Sequence, residues 1–286
     1  EYIDDWNMRH HRQAFKPRKG HIVATLPVAQ IEAGLVTSHW GLGMLSNDGA
    51  HEPWFGVNEF GDRLIRLRIS TRPAKTSPFS ISFAYDRVVD DDLARWSDYQ
   101  WASQGVIAAL YADKSDRRLG VYGVARTQRE ILTERETRVG VLDVYGDLPF
   151  AITNGWMARL ALEAAGVSGK TDRATTYNSP DQVRISSGGA TGIAGILAPN
   201  HVATFNVRGG WASGDGNPDD GVSHDFTFDR DFGVGQVLFD EVLGGVAAAT
   251  QVVLSNPENS GQPPDGVEAL VNEGAFSRAA FVQPIV

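Results

Sequence analysis

The strongest constraint in this chain is a period of two. Phe79-Ser80-Ile81-Ser82-Phe83-Ala84-Tyr85-Asp86 sets Phe79, Ile81, Phe83 and Tyr85 against Ser80, Ser82, Ala84 and Asp86. Successive side chains of a strand point to opposite faces, whereas a helix would scatter these aromatics around its axis. Segment 63–69 opposes Ile65, Leu67 and Ile69 to Arg66 and Arg68. Segments 156–163 and 203–211 alternate in the same way. Shorter strands are read at 21–25, 30–37, 105–112, 119–127, 139–145, 190–198, 233–239, 245–254 and 274–285. The fold class is all-β.

The connections are of two kinds. Segments 26–29 and 198–200 are tight, whereas 38–61, 87–99, 167–181, 213–231 and 255–265 are long and polar. Alternating turns and loops describe an antiparallel transmembrane β-barrel of roughly 10–14 strands, with short periplasmic turns and long outer loops. A soluble sandwich would show more even spacing. Face chemistry points the same way. The polar faces carry Ser, Ala, Gly, Thr and Asn with scattered Arg and Asp, as a crowded wet lumen requires, not the Lys, Glu and Thr of a solvated sandwich. Tyr85, Trp96, Tyr99, Trp101, Tyr111, Tyr145, Trp156 and Trp211 lie near strand ends, where aromatic girdles sit. The alternative is that aromatics are simply good strand formers.

Composition sharpens this. No apolar run approaches the roughly 18 residues of a membrane-spanning helix. The mean hydropathy of −0.22 still suits a barrel, which averages a lipid face with a wet one. Lys and Arg number 26 against 35 Asp and Glu, for a net charge of −9, so nucleic acid is not an expected partner. The chain has no cysteine, which excludes disulfides, thiolate metal sites and cysteine nucleophiles. It begins at Glu1 without a basic-then-apolar leader, which suggests a processed start. Residues 1–20 form a basic N-terminal segment and 21–286 a single barrel domain.

Three segments resemble known families. Residues 27–49, with the stretch SHWGLGMLSNDG, and the GDRLIR strand after them resemble a hairpin and outer loop of an uncharacterised family of Gram-negative outer-membrane proteins. Trp211-Ala212-Ser213-Gly214-Asp215-Gly216, and Phe228–Phe232 running into Val237–Gly244, resemble parts of alginate-export-type barrels. The resemblance implies a bacterial outer-membrane location and a pore of porin or polysaccharide-export type, bounded by lipid. It departs at the C-terminus, where Phe281-Val282-Gln283-Pro284-Ile285-Val286 lacks a terminal aromatic and places a proline in the closing strand. The barrel is therefore either complete in this chain or closed by further strands or a protein partner.

On the polar faces stand Arg66, Arg68, Asp143, Arg159, Glu163, Asn206 and Arg208. If they line a lumen, the arginines form a positive constriction for an anionic polysaccharide or small solute. The alternative is bracing, with Arg159 or Arg208 paired to Glu163 or Asp143. Asp215, Asn217 and Asp219 have the spacing of a calcium loop, and Asp220 adds a carboxylate. Asp220 occupies the place of the loop glycine and Phe226 that of the closing Glu, so the pattern is not an EF-hand. Ca2+ in 213–231, or a solvated acidic loop, are the two readings; no other cofactor is expected. Asp90-Asp91-Asp92 reads as a solvated loop tip. The usual nucleotide, metalloprotease and hydrolase motifs are missing, so no enzyme is expected. Three functions follow: a pore or export channel, a structural or assembly component without transport, or a soluble carbohydrate-binding sandwich.

Overall fold

The computed structural model describes residues 17–50, 61–74, 76–176, 178–217, 220–234 and 277–285. Its strands are β1 (Gly20–Thr25), β2 (Ala29–Thr37), β3 (Arg63–Thr71), β4 (Phe79–Asp90), β5 (Gln100–Ala112), β6 (Arg118–Glu130), β7 (Glu136–Ala151), β8 (Met157–Thr171), β9 (Val183–Leu197), β10 (Thr204–Ala212), β11 (Val222–Ser223) and β12 (Ala280–Ile285). All twelve belong to one sheet. The order is β1 to β10 and then β12, with every neighbour antiparallel, while the short β11 pairs with β9 in parallel. Among the described residues the only helical segments are 3-10 turns. The expected strands at 233–239 and 245–254 lie almost wholly outside the described residues.

The sheet is not closed. Among the described residues β1 pairs only with β2, and β12 only with β10. A barrel closed within the described chain is therefore not what the fold presents. The edge position explains the proline. Pro284 lies opposite Val207 on a strand with a single neighbour among the described residues, where a missing N–H costs no ladder bond on the other side.

Most strands are longer than their clearest alternating stretch. β7 has 16 residues, and β8 and β9 have 15 each. At about 3.3 Å per residue they extend some 50 Å, more than a membrane strand needs. The extra length comes from the segments read as loops: β4 runs on to Asp90 and β8 to Thr171. One rim carries the short connections 26–28, 72–78, 113–117, 152–156 and 198–203. The opposite rim carries 38–62, 91–99, 172–182 and 213–279, together with the short 131–135.

The two faces differ as the alternation requires. Ile65, Leu67, Ile69, Phe83, Tyr85, Ile107, Val121, Leu142, Val144, Leu160 and Leu162 stand exposed on one face of β3–β8; Phe83 is 53% and Leu162 54% exposed. The opposite, inner face is covered by the long-rim loops. Met44, Ala212, Phe226, Phe228, Phe232 and Val234 form an apolar cluster against Ala165. Val36, Leu64, Val88, Ala94 and Ala102 form a second cluster near the same rim. Trp96, Tyr99 and Trp101 are exposed at the long rim, and Trp156 at the short rim. Tyr145 departs from the girdle reading: it faces inward, packs edge-on to Trp40 and donates to Asp147 Oδ2 at 3.3 Å.

Candidate functional site

The inner face carries charge, and the charges are paired. On β3, Arg66 makes a two-point bridge to Asp86 of β4, Nε to Oδ1 at 2.7 Å and Nη2 to Oδ2 at 2.8 Å. The register sets Arg66 directly opposite Asp86, so the contact follows from strand pairing. Gln104 of β5 donates to the same carboxylate at 3.1 Å. Arg68 bridges Glu32 of β2 at 2.6 Å. Arg159 of β8 holds Asp147 of β7 at two points, both 2.8 Å. The bracing partner of Arg159 is thus Asp147, not the Asp143 or Glu163 considered from sequence. Register explains the choice. Arg159 faces Pro149 and Glu163 faces Tyr145, so Asp147 is one diagonal step from Arg159.

Arg208 turns to the loop instead. Its guanidinium lies 4.0 Å from the centre of the Phe232 ring and donates to the carbonyls of Phe232 and Gly233, the latter at 2.8 Å. Asn206 occupies the space over Gly195, where a Cβ would lie 2.0 Å from its Oδ1.

Asp143 and Glu163 receive the first loop. Trp40 Nε1 donates to Asp143 Oδ1 at 2.8 Å, and the Leu42 backbone N–H donates to a Glu163 carboxylate oxygen. The Trp40 ring stacks on Tyr122 with centroids 5.0 Å apart and rests on Gly120, where a Cβ would clash with it at 2.7 Å. The backbone turns through two left-handed glycines, Gly41 (φ +58) and Gly43 (φ +83), which aim the Leu42 N–H at the carboxylate. Such a turn is a nest, an anion cradle made of backbone N–H groups. A Cβ on Gly41 would lie 2.5 Å from Glu163 Oε2. The WGLGM stretch singled out by resemblance is therefore the part of the loop that grips the inner face.

The second loop joins the first. Asn47 N–H donates to Asp229 Oδ2 at 3.0 Å, and Asp229 N–H donates to the Met44 carbonyl at 2.8 Å. Arg230 N–H donates to Asp92 Oδ2 at 2.8 Å, which ties in the β4–β5 loop. Segments 38–50, 91–95 and 225–233 thus form one plug. Sequence reasoning missed it because these segments are polar on average. The available signals were Phe226, Phe228 and Phe232, large apolar residues spaced through an acidic loop.

In the candidate calcium loop, Asp215 Oδ1 accepts from Asn217 N–H at 3.0 Å and Oδ2 from His224 N–H at 3.4 Å. Asp220 Oδ1 accepts from Val222 N–H at 2.9 Å. Asp219 lies outside the described residues. The carboxylates placed here cap turns of their own loop. Among the described residues no three His, Asp or Glu side chains group to hold a metal ion. Asp90-Asp91-Asp92 is not a solvated tip. Asp90 bridges Arg63 at 2.8 Å, Asp91 bridges Arg126 at 2.5 Å, and Asp92 caps the plug.

Comparison with protein-family models, curated proteins and solved structures returns no match to this chain.

Proposed function

We propose that the sheet is the wall of a bacterial outer-membrane pore of porin or export type, with its inner face occluded by its own long-rim loops. One observation carries the reading. Large apolar side chains stand exposed in rows across β3–β8, directly opposite a face of paired charges. A water-facing sheet would reverse that arrangement, because exposing so many large apolar side chains to water is unfavourable. Lipid on the outer face and water or polymer on the inner face satisfy both. The edges of β1 and β12, unpaired among the described residues, then require further strands or a partner chain, since an unpaired edge is costly in lipid. A negatively charged polysaccharide or small anion is the solute that Arg66, Arg68, Arg159 and Arg208 would favour.

A second reading, a structural or assembly component, is favoured by the plug itself. These arginines are all engaged with carboxylates or loop carbonyls, which braces the wall. A soluble sandwich has less support, since it would pack two sheets face to face over its apolar residues. Conductance across a planar bilayer separates the first two readings. Steady ion current with selectivity changed in Arg66→Ser and Arg208→Ser supports the pore. Stable insertion without current supports the structural component.

A further inference from the structure

The outward face of the sheet carries little charge, and that charge lies at one end. At the outward positions of β4–β9 the charged residues are Arg87, Arg129, Glu136, Arg138, Lys170 and Arg184. All of them belong to the long-rim ends of their strands, beyond the apolar rows.

Pairing register aligns most of the cations. Arg87 lies opposite Ser103, Ser103 opposite Thr127, Thr127 opposite Arg138, Arg138 opposite Lys170, and Lys170 opposite Arg184. A single row across β4–β9 thus reads cation, hydroxyl, hydroxyl, cation, cation, cation. Neighbouring strands lie about 4.8 Å apart, and like charges directly opposite each other destabilise a sheet. Arg138, Lys170 and Arg184 nevertheless stand side by side and exposed.

The carboxylates at this end answer part of the charge. Glu136 takes Arg138 at two points, 2.9 and 2.7 Å, and its field also reaches Arg129 and Lys170. Glu134 reaches Arg129 at 3.3 Å, and Asp172 accepts the Glu136 backbone N–H beside Arg138. Arg87 rests 4.5 Å from the centre of the Trp101 ring and donates to Ser103 Oγ at 3.2 Å. Among the described residues no ion pair engages Lys170 or Arg184.

The next row toward mid-sheet is Tyr85, Gly105, Ala125, Gly140, Ser168 and Ser186. Its mostly small side chains leave a shallow shelf under the cations; a Cβ at Gly105 would meet nothing within 4 Å. Trp96, Tyr99 and Trp101 are exposed at the same rim, as aromatics at the headgroup level of a membrane are.

We propose that this row is a binding site for anionic, phosphate-bearing lipid headgroups at the long-rim edge of the wall. The proposal rests on the reading of the apolar face as lipid-facing, and adds which lipid that face selects. Phosphate oxygens bridge Arg138, Lys170 and Arg184 and relieve the repulsion between them. The arginine forks grip oxygens in pairs and the lysine acts as a point charge. The acyl chains then run down the apolar rows below.

The absence of native cysteine gives a clean probe. Ser168→Cys, beside the row, and Ala158→Cys, outward at the short-rim end of β8, each carry a fluorescent label in phosphatidylcholine vesicles. Brominated-tail phosphatidic acid or brominated-tail phosphatidylcholine then replaces the same fraction of the lipid. Quenching at Ser168→Cys should show a preference of about fivefold or more for phosphatidic acid, the factor that a single surface cation contributes. Ala158→Cys should show no preference. Lys170→Gln with Arg184→Gln should abolish the preference, and Glu136→Gln should raise it. Equal quenching by the two lipids at Ser168→Cys, or a preference that survives the double change, would overturn the site and leave the lipid-facing wall standing. Quenching by neither lipid at either label would overturn both. Loss of the preference to millimolar inorganic phosphate would assign the row to free phosphate and overturn the lipid site.

Discussion

Trp40 and Asp143 lie 103 residues apart and meet at 2.8 Å, indole N–H to carboxylate. That contact ties a long-rim loop to the middle of the inner sheet face. Asp143 is fully buried in the folded chain, and the Trp40 indole supplies the donor to that oxygen. The loop and the wall therefore stabilise each other. Trp40→Phe keeps the ring on Tyr122 but removes the donor, and should cost about 1–3 kcal/mol of plug stability. Faster hydrogen exchange in 38–50, with the strands unchanged, is the expected outcome.

The nest at Gly41 should be intolerant of a side chain. Gly41→Ala places a methyl 2.5 Å from Glu163 Oε2 on a left-handed backbone. The left-handed conformation alone costs about 1–2 kcal/mol for a residue with a Cβ. Gly105→Ala is the matched control, because its Cβ would meet nothing within 4 Å. Limited proteolysis within 38–50 should rise for Gly41→Ala and stay at the unaltered level for Gly105→Ala.

Much of the wall was legible from alternation. Phe79–Asp86 identified β4 because each face has a single chemistry, so a one-residue slip would turn Phe inward onto the charged face and Ser outward. The residues that point inward followed from the same count. Their partners did not. Arg159 meets Asp147 and not Glu163 because of a diagonal step in register, which one strand's sequence does not contain. The plug was hidden for a different reason. Its anchors, Met44, Phe226 and Phe232, are few among polar neighbours, and average polarity conceals isolated apolar residues that fold back onto a wall. Edge closure was illegible for a third reason: pairing of the terminal strands depends on partners at a distance in the chain or outside it.

The Arg66–Asp86 pair is buried, and removing one partner should be severe. Arg66→Met leaves Asp86 without its cation and should lower stability by about 3–5 kcal/mol. The double change Arg66→Met with Asp86→Leu should recover most of the loss. By contrast, Arg129 and Glu134 are 57% and 79% exposed at 3.3 Å, and Arg129→Met should shift the unfolding midpoint by almost nothing. Denaturant unfolding in detergent micelles measures all three.

A charge on the apolar face should oppose insertion. Leu142→Lys and Leu162→Arg each replace an exposed apolar residue in the middle of a long strand. At the centre of a bilayer such charges cost about 2–4 kcal/mol. Folding yield into lipid vesicles should fall for both. The same charge added on the short rim by Ser115→Lys, at an exposed turn, should leave it unchanged.

The most direct test of the membrane wall uses the cysteine-free background. Single substitutions Leu160→Cys, Ala161→Cys, Leu162→Cys, Ala164→Cys and Ala165→Cys on β8 carry a fluorescent label in vesicle-reconstituted protein. Brominated lipid tails should quench the label at positions 160, 162 and 164 and spare 161 and 165, reproducing the exposed–buried alternation of that strand. Equal quenching at all five positions, or none at the outward ones, would contradict a sheet that faces lipid.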